Sequence, residues 1–181
     1  MWTNYKAYYE LLAKQVEPCT ILTTKDGWFW KVLATLIAIL TFGKCSRRLF
    51  LEDMATTIGP VQAYPRAWPN LSTSIIWHES RHARQARWFG FGISPWLGLP
   101  LMAVVYLLLP IPIYFAAGRF LLEADAETYV WEMARKLRPG VKLSFNSRAL
   151  DFADNLSSAT YAWAWPRRWA RKYLIRKDKS L

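Results

Sequence analysis

The chain holds two histidines, and both lie in one pentapeptide, His78-Glu79-Ser80-Arg81-His82. On a helix, residues four apart share a face, with Cβ atoms about 5–6 Å apart. Two imidazoles so placed can bind one metal ion, and the glutamate beside the first can poise a water for attack. A catalytic zinc takes three protein ligands and keeps one position open. The histidines supply two, so the third must be a carboxylate or come from outside the chain. Glu123-Ala124-Asp125-Ala126-Glu127 is the stretch that stands out. On a helix Glu123 and Glu127 share one face and Asp125 points away. Glu123 then reads as the third ligand and Glu127, one turn on, as acceptor of a hydrogen bond that fixes an imidazole tautomer. Asp125 and Glu127 are the alternatives for the ligand position.

HESRH followed by a glutamate helix resembles the gluzincin class of zinc metallopeptidases. In that class the ligand glutamate is followed four residues later by an acidic residue that supports a histidine. Glu123 and Glu127 match, with glutamate in place of the usual aspartate. The chain is also similar to short HExxH proteins of bacteria and tailed phages. There a TTIG-like strand and a proline precede the zinc helix, a glutamine follows the second histidine, and an E-x-[DE]-A helix comes later. The matching residues are Thr56 to Gly59, Pro65, His82-Ala83-Arg84-Gln85 and Glu123 to Ala126, and the resemblance covers roughly residues 54–132. Arg81 and Arg84 depart from the uncharged residues such helices prefer. The metzincin pattern is excluded, because Gln85 and Trp88 stand where it needs a glycine and a third histidine. The resemblance implies one zinc ion held by His78, His82 and Glu123, and a peptide or protein substrate. Glu79 would take a proton from the attacking water and pass it to the leaving amine. An oxyanion donor is also required; Tyr129 and Tyr161 are the candidates, and the sequence does not choose between them.

The elements that must position these groups are mainly helical. The expected fold is one domain over 1–181, with a helical zincin-like core over 54–137 and at most a small β element near 56–64. Apolar segments, candidates for membrane insertion, accompany it. An amphipathic helix is expected over 4–16, ahead of Pro18. The first apolar run, 28–43, carries tryptophans at one end and Lys44, Arg47 and Arg48 beyond the other, a pattern of interface anchors. Val61 to Tyr64 reads as a short edge strand between prolines, open to an extended substrate at its edge. Asn70 or Ser72 caps the zinc helix and Gly90 stops it. A second apolar run, 93–118, is long enough to cross a bilayer. A single crossing would set Glu123 about 30 Å from His82, on the other membrane face. A bend at Pro110-Ile111-Pro112, giving an apolar hairpin, removes that conflict. Helices follow over 120–137 and 146–164, and the basic tail 166–181 reads as an interfacial helix or arm.

Composition agrees with a lipid partner. The chain is 53% hydrophobic and 16% aromatic, has 11 tryptophans and carries a formal charge of +11. Apolar segments with basic flanks suit anionic headgroups, and the cations after the first run favour a cytoplasmic side for the active-site region. Nucleic acid is disfavoured: there is no zinc-finger spacing, no RNA-binding aromatic signature and no basic zipper. Cys19 and Cys45 fit no metal knuckle and read as isolated thiols. The first residues lack the pattern of a signal peptide. The competing reading is a basic, aromatic-rich structural or membrane-interacting protein, such as a virion component, in which HESRH is incidental or degenerate.

Overall fold

Ser72 begins the helix that carries both histidines. Its side chain accepts a hydrogen bond from the Ile75 amide at 3.2 Å, satisfying one of the amides a helix start leaves unpaired. The structure, a computed structural model, describes residues 1–40, 43, 45–108, 116–139, 141, 144–158 and 165–180. They form helices α1 (Lys6–Val16), α2 (Trp28–Leu40), α3 (Thr73–Phe89), α4 (Pro95–Leu108), α5 (Ala117–Leu137), α6 (Asn146–Leu156) and α7 (Arg167–Ser180). The strands are β1 (Ile21–Thr24), β2 (Thr56–Ile58) and β3 (Val61–Tyr64). The chain is therefore mainly α with one small sheet. It groups into two compact units, Met1–Met102 and Ala103–Leu181.

In the first unit the strands lie in the order β1-β3-β2. β1 runs parallel to β3, with Ile21 opposite Val61, and β2 runs antiparallel to it, with Ile58 opposite Val61. Gly59 adopts φ 56° in the two-residue connection of β2 to β3, the positive φ that tight hairpins need. β3 is thus the middle strand. The expected edge strand over 61–64 is corrected: both its edges are already paired, so no substrate strand can add there. β1 also extends the sheet beyond the region expected to be β.

Because strand side chains alternate between faces, β3 serves two cores. Tyr64 packs with Trp2, Tyr9, Ala13, Leu22, Leu71 and Ile76 on the side of α1 and α3. Ala63 packs with Trp30, Ala34, Cys45 and Phe50 on the other side, where α2 lies. Cys19 is exposed and Cys45 buried, both as free thiols.

Among the described residues no helix is long and apolar enough to cross a membrane. The first apolar run folds as a helix of 13 residues, about 20 Å long at 1.5 Å per residue, against about 30 Å of hydrocarbon. α4 has 14 residues. Neither described helix is thus long enough to cross a bilayer by itself, and residues 109–115 of the second run lie outside the described residues. The bend at Pro110-Ile111-Pro112 lies outside the described residues.

In the second unit α7 buries Ala170, Leu174 and Asp178, successive positions one turn apart. The basic tail is thus a packed helix, not a loose arm. Asp178 accepts from Arg135 at 2.6 Å and from the Phe145 amide at 3.3 Å. The Trp131 and Phe145 rings stack at 5.6 Å. Half-buried Asp154 receives both Arg167 and Arg171, which hold its carboxyl well below the usual carboxylate range. α6 ends at Leu156, earlier than the helix expected to 164, with Ser157 donating to Ala153 O and Trp165 O.

Candidate metal centre

The histidine pair lies on α3. The His78 and His82 rings sit 4.9 Å apart at 80°, and their Nε2 atoms approach to 3.2 Å. Two nitrogens bound at 2.0–2.1 Å to one tetrahedral zinc would be about 3.3–3.4 Å apart. The pair is therefore spaced as cis ligands of one ion. Gln85 Oε1 lies 2.8 Å from His82 Nδ1. A carbonyl oxygen there requires the proton on Nδ1, which leaves the Nε2 lone pair for a metal. His82 and Gln85 are buried, and His78 is half-buried. The donor chemistry of the pair, two imidazoles one helical turn apart, suits zinc.

Packing fixes α3 in rotation about its axis. Tyr64 on β3 donates to Gln62 Oε1 at 2.8 Å, and Gln62 Nε2 donates to Ser80 Oγ at 2.8 Å. This buried chain ties the middle strand to the residue between the two histidines. Edge strand β2 reaches the intervening glutamate. Thr57 Oγ1 donates to Glu79 Oε2 at 2.7 Å and lies 3.2 Å from the Glu79 carbonyl oxygen. The proposed base is thereby held at one of its two carboxylate oxygens.

Behind β2 lies a buried cation. Lys25 Nζ donates to Phe50 O at 2.8 Å, Met54 O at 2.9 Å and Thr56 Oγ1 at 2.6 Å, and sits 3.9 Å from the centre of the Phe50 ring. Burial pulls its pKa down to about 8, against the opposing charges of Glu79 and Cys45. The arrangement suits either protonation state. An ammonium donates three times, while a neutral amine can donate to the two carbonyls and accept from the Thr56 hydroxyl. Burial likewise pushes the Cys45 thiol and the Tyr64 phenol up.

The carboxylates lie on α5 in the second unit. Glu123 and Glu127 are both buried, one turn apart. Tyr106 donates its hydroxyl to Glu123 Oε1 at 2.5 Å. Trp131 Nε1 donates to Glu127 Oε1 at 2.9 Å. Arg148 from α6 donates through Nε to Glu127 Oε1 and through a second nitrogen to Oε2 at 3.3 Å. Buried carboxylates keep their charge only with such partners. Asp125 is half-buried, as expected of a residue off the buried face. Tyr129 is half-buried on α5, and Tyr161 lies outside the described residues.

Thr57, Lys25, Tyr106 and Arg148 were not among the sequence-derived site residues. Thr57 lay within the TTIG resemblance, and Tyr106 was one of two tyrosines in the second apolar run. Lys25 and Arg148 carried no local signal. No protein-family model matches the chain, and no curated protein or solved structure is significantly similar to it.

Proposed function

We propose that this chain is a membrane-associated zinc metallopeptidase, with His78, His82 and Glu123 as its ligands. The observation that carries the reading is the 3.2 Å approach of the two Nε2 atoms, with His82 Nδ1 against Gln85. Bound zinc would supply Lewis acidity to a substrate carbonyl and to water. Everything else falls to the chain's own side chains. Glu79, held through Oε2 by Thr57, takes the water's proton at its other oxygen and delivers it to the leaving amine. Gln85 sets the His82 tautomer, and Tyr106 orients Glu123. Glu127, clamped by Arg148 and Trp131, supports the ligand helix one turn beyond Glu123. Tyr129 and Tyr161 are the candidates for the oxyanion.

The test is metal content and turnover of the purified chain in mild detergent. The parent should carry close to one zinc per chain and cleave an unfolded protein substrate. His78→Ala should lose the metal, and Glu79→Gln should keep it but lose turnover. A parent that stays metal-free after zinc reconstitution would overturn the proposal and leave the structural, non-enzymatic reading.

A further inference from the structure

The turn joining α3 to α4 presents apolar side chains that nothing in the first unit covers. Phe91 is 89% exposed and Ile93 71% exposed, and Trp88, Trp96 and Leu97 are each at least half exposed. Phe91 is also the one described non-glycine residue with positive φ, at 55°. That backbone conformation is costly for a residue with a Cβ. The local fold gains nothing from the ring in return, since the ring touches water.

Backbone hydrogen bonds close the turn. Phe91 N donates to Trp88 O at 3.1 Å, Gly92 N to Arg87 O at 2.9 Å, and Ile93 N to Gly90 O at 3.0 Å. Gly98 seats the start of α4 against the end of α3 so closely that an added Cβ would lie 1.7 Å from Ala86 O.

Its electrostatic setting selects the occupant. No aspartate or glutamate occurs between Glu79 and Glu123, whereas the last turns of α3 carry Arg81, Arg84 and Arg87. The Arg81 guanidinium lies 4.3 Å from the centre of the Trp88 ring. Arg87 is paired with Glu17 at 2.5 Å; exposed aromatics beside a stretch that carries arginines and no acidic residue of its own complement the headgroup layer of an anionic bilayer.

We propose that the turn over residues 88–97 docks the protein on anionic membrane by inserting Phe91, Ile93 and Leu97 into the headgroup–acyl boundary. The inference rests on the membrane part of the proposed function and is independent of the metal. It is tested by flotation of the full chain with vesicles of phosphatidylcholine containing about a quarter phosphatidylglycerol, a charge that attracts basic segments. Zinc-free parent and Glu79→Gln should float equally, so failure here is separable from failure of the peptidase reading. The double variant Phe91→Gly with Ile93→Ser should partition at least about tenfold more weakly. Its circular dichroism and elution volume should match the parent, since glycine suits a positive φ. Parent that does not float, or a variant that floats equally well, would overturn the proposal. So would a parent dimer that the same substitutions split without changing vesicle binding, which would make the turn a contact between copies.

Discussion

His82 depends on a neutral acceptor three residues away. Gln85 fixes which ring nitrogen carries the proton, and such outer partners typically set metal affinity by about 10–100-fold. Gln85→Ala should weaken zinc binding by about that factor in a chelator competition, and Gln85→Glu should restore it. Equal affinity in all three proteins would remove Gln85 from the site. Lys25 supports the same site through Thr56 and β2, and its pKa of about 8 lies below the unfolded value of about 10.4. Below pH 8 both states hold the proton and the buried charge costs stability. Between about 8 and 10.4 the unfolded chain binds more protons, so stability rises with pH, by on the order of 3 kcal/mol in all. The Cys45 thiol, pushed up by burial, acts in the opposite sense over the same range. Comparison with Lys25→Met cancels that contribution. The parent's advantage over Lys25→Met should grow from pH 8 to pH 10 in denaturant titrations, and a constant difference would refute the buried-charge account.

At the scale of elements, the start of α4 approaches the end of α3 closely at Gly98. Gly98 has Ala86 O and Gly90 N where a Cβ would go, at 1.7 and 2.4 Å. Backbone atoms cannot give way as a side-chain end can. Gly98→Ala should therefore cost about 3 kcal/mol, measured as a lower denaturant midpoint. A variant as stable as the parent would show that the helices are free to separate. α2 presents a different balance. Trp30 and Ala34 are buried against the sheet, while Trp28, Val32, Leu36 and Ile39 are exposed. A helix apolar on all sides is usually buried on all sides, and this one is covered on one side by its own unit.

For the whole molecule, the proposed zinc is also a stability term. A ligand that binds only the folded state, at a thousandfold its dissociation constant, stabilises by about 4 kcal/mol. That corresponds to about 10 °C in the thermal midpoint of a chain of this size. Zinc should raise the midpoint of the parent and of Glu79→Gln by about that amount, and of His78→Ala not at all. An unchanged parent midpoint would count against any structural zinc.

The sequence by itself determined what is local. The i,i+4 spacing put His78 and His82 on one helix face, Asn70 or Ser72 and Gly90 bounded that helix, and the spacing of Glu123 and Glu127 put both on the buried face of α5. These follow from the 3.6-residue turn and from the capping chemistry of single residues, so no folded molecule is needed to read them. Tertiary structure alone decided the partners. Thr57 reaches Glu79 across 22 positions and Arg148 reaches Glu127 across 21. β1, only four residues long, becomes legible as a strand only when paired with β3. That pairing turned the expected edge strand into a central one. Strand order and hydrogen-bond partners over such separations are set by which surfaces pack together, and periodicity within a segment carries no record of that.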